Sequence, residues 1–202
     1  MLLETSRLRL RRFRPADAVP LAAYRSDPAI ARYQSWTPPV PVSAATSLVR
    51  QYAAGSPDRP GWFQYALEVK ADGALAGDVG VNLHENLLQA DLGFTLALAH
   101  QGQGYATEAV RAVLADLFGR RGLHRVSAEC DARNHRSAQL LERLGFQREG
   151  LRPQCTWLKG EWTDDLLWGL LAQDHNGLCD TSPASSIVQT NKRIAGPRCR
   201  TG

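Results

Sequence analysis

Gly102 and Gly104 stand one residue apart in HQGQGYATEA (His100–Ala109), where a strand-like stretch gives way to a helical apolar stripe. The first four backbone N–H groups of a helix lack internal acceptors and carry partial positive charge, so such a junction can hold an anion. Glycine removes side chains that would block the anion's approach, and the Thr107 hydroxyl adds a donor. Residues 102–107 are therefore a candidate pyrophosphate cradle; the same glycines also suit a plain tight turn. The dinucleotide fingerprint GxGxxG fails at Thr107, and there is no GK[ST] phosphate loop. A second candidate is Glu129. Val126, Ala128 and Cys130 alternate onto one strand face, leaving Ser127, Glu129 and Asp131 on the other. If that face lines a cleft, Glu129 can relay protons; otherwise it is an ordinary paired or solvated carboxylate.

The elements that must position these residues follow from periodicity. Arg7–Phe13 alternates as a strand with one wet face. A helix is predicted from Pro15, with Asp17 at its N-terminus, Pro20 as a complication and Pro28 marking its end. Another is predicted from Ser43, whose hydroxyl can cap it, to the breaker at residues 55–57. Strands are predicted at Trp62–Val69, Leu75–Leu83 and Gln89–Leu98, as an antiparallel meander. Apolar residues at spacings of three and four predict a helix over Gly104–Phe118, stopped by Gly119 and Gly122. A strand at Arg125–Cys130, a helix from Asn134 closed by Gly145, and a hairpin of Phe146–Trp157 with Trp162–Leu171 complete the order. The expected fold class is α/β (α+β): one domain, residues 1–175, with a central mixed, largely antiparallel sheet of about 6–7 strands flanked by helices.

Gln101-Gly102-Gln103-Gly104-Tyr105-Ala106 resembles the Q/R-x-x-G-x-G/A motif of the GNAT superfamily of N-acetyltransferases. TSRLRLRRF, ADLGFTLALAHQGQGYATEAV, AECDARNHRSAQLLERLGFQREG and WLKGEWTDDLLWGLL fall in the order of its RimJ/RimL-like branch, which acetylates the N-termini of ribosomal proteins. The resemblance implies that acetyl-CoA binds with its pyrophosphate on the turn formed by Gln101, Gly102, Gln103, Gly104, Tyr105, Ala106 and Thr107. It places the pantetheine arm along Phe94, Thr95 and Leu96 and near Asn134, in a gap where the strands carrying Phe94 and Glu129 splay apart. It implies a backbone N–H near Leu96 for the oxyanion. It further implies a general-base role for Glu129 and a proton-donor role for Ser137, three residues after Asn134; capping of the Asn134 helix is the other reading of Ser137. Two positions depart from the pattern. Leu141 stands where many members carry a proton-donating tyrosine, and Thr156 where the RimL-like branch carries a carboxylate.

The chemistry expected is acetyl transfer to a primary amine, either a protein N-terminus or a small molecule such as an amino acid, polyamine or aminoglycoside. An acidic floor drawn from Asp78, Glu85, Asp91, Asp164 and Asp165 would favour a polycation. Arg133 and Arg136 are candidates for the CoA phosphates, and Trp157 and Trp162 for contact with the acceptor. A non-catalytic acetyl-CoA-binding module and a dinucleotide oxidoreductase are the alternatives. The histidines show no metal-ligand spacing, so no metal is expected. The four cysteines lack CxxC spacing and read as free thiols of a cytoplasmic protein. Net charge is +4, but residues 176–202 carry +3 of it in a polar stretch read as a disordered basic tail. The charge thus gives no support for nucleic-acid binding. No apolar run suits a membrane span, and the expected assembly is a monomer or homodimer.

Overall fold

The computed structural model describes residues 2–179, with side chains through His175. Eight strands form one sheet in the order β1-β2-β3-β4-β5-β6-β8-β7: β1 (Leu3–Glu4), β2 (Leu8–Arg11), β3 (Gly61–Val69), β4 (Leu75–Leu83), β5 (Gln89–Leu96), β6 (Arg125–Asp131), β7 (Gln147–Leu158) and β8 (Glu161–Leu171). The strand beyond the expected six or seven is β1, two residues too short to show periodicity, which doubles back on β2. All neighbours are antiparallel except β5 and β6. This mixed, mostly antiparallel sheet is not the doubly wound parallel sheet of a dinucleotide oxidoreductase.

Pro15 opens a short 3-10 turn, Pro15–Asp17, and α1 (Ala18–Arg25) follows. Pro20 is tolerated because it lies in the first turn of α1, where its missing N–H has no helical acceptor. Asp17 is buried, accepts the Arg14 N–H at 2.6 Å and pairs with Arg11 at 2.7 Å. Pro28 begins rather than ends a helix: α2 (Pro28–Ala31) is capped by Asp27, which accepts the Ala29 N–H at 2.8 Å. Helix α3 (Val42–Ala54) starts one residue before Ser43, with Pro41 at its N-cap and no side-chain cap bond, so the capping role expected of Ser43 is not played.

Helix α4 (Tyr105–Ala115) widens into a π-turn at Asp116–Arg120. Gly119 therefore lies inside the turn, and the chain leaves through Gly122 at φ 69°. Helix α5 (His135–Arg143) follows β6, and α6 (Ala172–Cys179) follows β8. Helix α6 crosses the expected domain boundary at residue 175; the rest of the expected tail lies outside the described residues. The two sheet faces carry separate apolar clusters. One joins Leu8, Tyr65, Val79 and Val126 to α4 and α5 through Val110, Val113 and Leu141. The other joins Ala66 and Leu75 to α1 and α3 through Leu21, Ala45 and Val49. No helix among the described residues is long and apolar enough to cross a membrane.

Candidate active site

The site begins where β5 and β6 part. They pair only from Gln89–Leu92 to Arg125–Ala128. Beyond that, β5 stays on β4 as far as Leu96 opposite Gly77, while β6 stays on β8 as far as Asp131 opposite Asp165. The expected splay between Phe94 and Glu129 is present. The Ala97 N–H donates to Ala76 O at 2.8 Å. Antiparallel alternation therefore turns the main-chain groups of Phe94 and Leu96 away from β4 and into the gap. Such an unpaired edge can bind an extended chain carrying amides. The Gln101 side chain donates to Leu96 O at 3.0 Å and accepts from Arg136 at 3.0 Å, tying the strand end to α5.

The glycine turn follows. Gly102 and Gly104 have φ of 74° and 80°, in the left-handed region that other residues enter at a cost. Gly104 is the N-cap of α4, and no side chain caps that end. The first main-chain bond inside the helix is from the Glu108 N–H to Gly104 O, at 3.0 Å, so the amides ahead of it face outward. The turn is braced from β2's approach. Arg7 donates to Gln103 O at 2.9 Å, lies 4.7 Å from the centre of the Tyr105 ring and pairs with Glu108 at 2.6 Å. Burial raises the Glu108 pKa, but hydrogen bonds from Thr5, Arg7 and Ser6 outweigh it and hold the carboxyl at about 2.

A cleft of about 1120 Å³ runs along these elements, lined by Phe94, Thr95, Leu96 and Asn134, and by the turn residues Gln101, Gly102, Gly104, Tyr105, Ala106 and Thr107. Gln103 is the exception among the expected cofactor residues: its side chain turns back to donate to Ala99 O at 2.9 Å and does not line the cleft. Arg136 lines it, with Arg32 and Arg143, which sequence reasoning passed over. Arg133 lines it too, but is held by Asp131 at 2.7 Å and Glu161 at 2.8 Å.

A second cavity of about 500 Å³ adjoins the first. Phe94, Thr95, Asn134 and Ser137 line both, together with Tyr33 and Gln34. Asn134 caps α5 by accepting the Ser137 N–H at 3.2 Å. Glu129 lines the second cavity only; its carboxylate is exposed and paired with Arg152. The aromatic wall is Tyr33, Trp36, Tyr52 and Trp62. Trp157 and Trp162, expected to meet the acceptor, instead pack edge to face with ring centres 5.3 Å apart and line neither cavity. Of the acids expected to form a floor, only Asp78 lines the cavity, and it is paired with Arg25 at 3.8 Å. Asp91 binds His84, Asp165 accepts from Thr156, and Asp164 accepts the Gln154 N–H. No cluster able to hold a metal occurs among the described residues.

Sequence reasoning missed the residues on α1, α2 and the chain after them. Nothing local marks Arg25, Tyr33 or Trp36; they reach the site only because α1 and α2 pack over the sheet.

A splayed strand edge, a bare helix N-terminus beside it and an adjoining acceptor-sized cavity define a coenzyme A-dependent acyltransferase. The model of the acetyltransferase (GNAT) domain family matches residues 7–147, and the chain belongs to that family. It is 32% identical over 181 residues to the uncharacterized N-acetyltransferase p20 of Bacillus licheniformis, covering 87% of this chain and 98% of that one. It is 34% identical over 83 residues to the ribosomal protein uS5-alanine N-acetyltransferase of Escherichia coli, covering 41% and 43%. The crystal structure of a GNAT-family acetyltransferase from Bacillus anthracis superposes with a TM-score of 0.76 at 23% identity, covering 86% and 99%. The oxidoreductase alternative falls, and the protein is an acetyl-CoA-dependent N-acetyltransferase.

Proposed function

We propose that the acetyl thioester lies at the junction of the two cavities and that a primary amine reaches it from the second. The supporting observation is that Phe94, Thr95, Asn134 and Ser137 line both spaces. The Gly102–Thr107 amides hold the pyrophosphate, and the Phe94–Leu96 edge aligns the pantetheine amides. The amine lone pair attacks the thioester carbonyl carbon. The Leu96 N–H, turned into the gap, donates to the oxygen as it gains charge. The carbon–sulfur bond then breaks. Glu129 takes the proton the amine loses, through water, because its carboxylate stands at the cavity rim, paired with Arg152. The Ser137 hydroxyl passes a proton to the departing thiolate and takes one in turn from water, so that no alkoxide is left. Kinship with the ribosomal N-acetyltransferases and a cytoplasmic location go with this reading.

Thiol release from acetyl-CoA across a panel of primary amines tests it. Turnover is expected with the intact protein, and Glu129→Gln should lower kcat/KM most at low pH, where the amine's proton is hardest to remove. Cofactor binding without turnover, or a Glu129→Gln profile identical to the parent's with chemistry rate-limiting, overturns the assignment.

A further inference from the structure

Gly93 sits in the middle of β5 and pairs with Gly80 on β4. Glycine inside a strand weakens it and packs no side chain. Its usual causes there are a bulge, an unusual backbone angle, or a group that approaches the backbone closely. For Gly80 the cause is internal: a Cβ there would stand 2.6 Å from the Gln64 side chain, which lies against it. Gly93 has no such neighbour. The β4–β5 register runs unbroken through it, and its φ lies outside the left-handed region. A Cβ added to it would meet nothing within 4 Å. Gly93 is partly exposed and lines the second cavity. The cause left is a ligand lying on the strand at this point.

A second observation comes from the same sheet face. Trp62 stands two residues from Gln64 on β3, so both side chains leave the side on which Gln64 covers Gly80. Trp62 lines the cavity and is 57% exposed. Among the described residues its indole makes no ring–ring or cation–ring contact. The other aromatics of the wall differ. Trp36 donates to Arg25 O at 2.9 Å and lies 4.3 Å from its guanidinium, and Tyr52 packs on Phe13 at 5.2 Å.

The charges in the cavity narrow the ligand. Arg25 is paired with Asp78 at 3.8 Å, Asp131 with Arg133 at 2.7 Å, and Glu129 with Arg152. A polycation finds no free carboxylate there for its further ammonium groups, and an anion meets three carboxylates. What stands unmatched is bare backbone and an uncovered indole. Both suit the face of a flat, uncharged ring.

We propose that the acceptor is an arylalkylamine: an uncharged aromatic ring lying on Gly93 against Trp62, with its primary amine on a short alkyl arm. This rests on the transferase reading above and narrows its acceptor. Thr95 lies on the same face of β5, about 7 Å along the strand from Gly93, and lines both cavities. A short arm therefore carries the amine from the ring to the thioester.

The test measures kcat/KM for thiol release, expressed per neutral amine, with 2-phenylethylamine, 2-cyclohexylethylamine and spermine. The first two share a carbon skeleton, so their ratio isolates the flat π-face. 2-Phenylethylamine should exceed its saturated analogue by about tenfold, the upper scale of a well-placed aromatic pair, and spermine should be the poorest. Trp62→Leu keeps an apolar side chain without a ring and should bring the ratio close to one. Gly93→Val suits a strand and enters open space. It should lower 2-phenylethylamine turnover about tenfold relative to slender propylamine; thermal melts establish that both variants fold. Equal rates for the two ring amines, spermine as the best acceptor, or ratios unchanged in the folded variants overturns the proposal and leaves the transferase standing. Failure of every amine with acetyl-CoA bound overturns the transferase reading itself, and this inference with it.

Discussion

Asn134 closes the first turn of α5 with the Ser137 N–H at 3.2 Å and leaves the serine hydroxyl out of the cap. The two readings of Ser137 thereby separate physically. The Ser137 N–H makes the cap bond to the Asn134 side chain, and Ser137 lines both cavities. Leu141, where the family resemblance leads one to expect a tyrosine, is buried and apolar, so that position offers no phenol to the thiolate. Ser137→Ala should lower kcat on the order of 10²-fold, the usual scale for a lost general acid. The KM for acetyl-CoA and the unfolding temperature should barely change, because the N–H cap survives the substitution. Stopped-time thiol release and a thermal melt check both. A large drop in melting temperature with an unchanged kcat would return the hydroxyl to a structural role.

Glu108 joins elements far apart in sequence. It accepts from Thr5 at 2.6 Å and from the Arg7 N–H at 2.9 Å, so the N-terminal segment and the first turn of α4 are fixed together. Its side chain is only 15% exposed. The lowered pKa carries a sign: a carboxyl near 2 in the folded state and near 4.5 unfolded favours folding above pH 4.5. That contribution is lost as pH falls from about 4.5 to 2. Allowing for the half-exposed Arg7, it amounts to about 2 kcal/mol at neutral pH. Glu108→Gln should lower stability at pH 7 by about that amount and flatten the acid limb, read by urea melts from pH 7 to 2.5. Loss of the brace under Gln103 and Tyr105 should also weaken acetyl-CoA binding, whereas substitution of Glu149, which pairs with Arg125 and lines neither cavity, should not. Parallel acid limbs in parent and variant would remove Glu108 as the latch.

Across the whole molecule, what could be read from the sequence was what is local. Alternation and helical spacing marked the strands and α4, and Gly102 and Gly104 marked the turn that opens α4, because each is dictated within a few residues. The splay was anticipated only through family resemblance; no residue between Leu92 and Leu96 announces that β6 leaves. The acceptor cavity was illegible for another reason. Arg25, Trp36, Tyr52 and Gln64 come from four segments of the N-terminal third, and only packing of α1 and α3 on the sheet brings them together. Trp157 and Trp162 were misread because exposure at a hairpin tip leaves the same sequence signature as a ligand wall. The larger cleft likewise spans the molecule, from α2 through the β5 edge to α4 and α5, with Arg32, Arg136 and Arg143 along it. A ligand touching all of these should stabilise the domain as one unit. At 100 times its dissociation constant acetyl-CoA adds about 2.7 kcal/mol, which for a domain of this size raises the melting temperature by about 5–10 °C. The shift should shrink with added salt, because arginine–phosphate attraction is screened over about 10 Å at 0.1 M. NAD at the same concentration should give no shift, since no dinucleotide sheet is present to hold its second half. An equal shift with NAD, or none with acetyl-CoA, would mean that the cleft is not where the coenzyme binds.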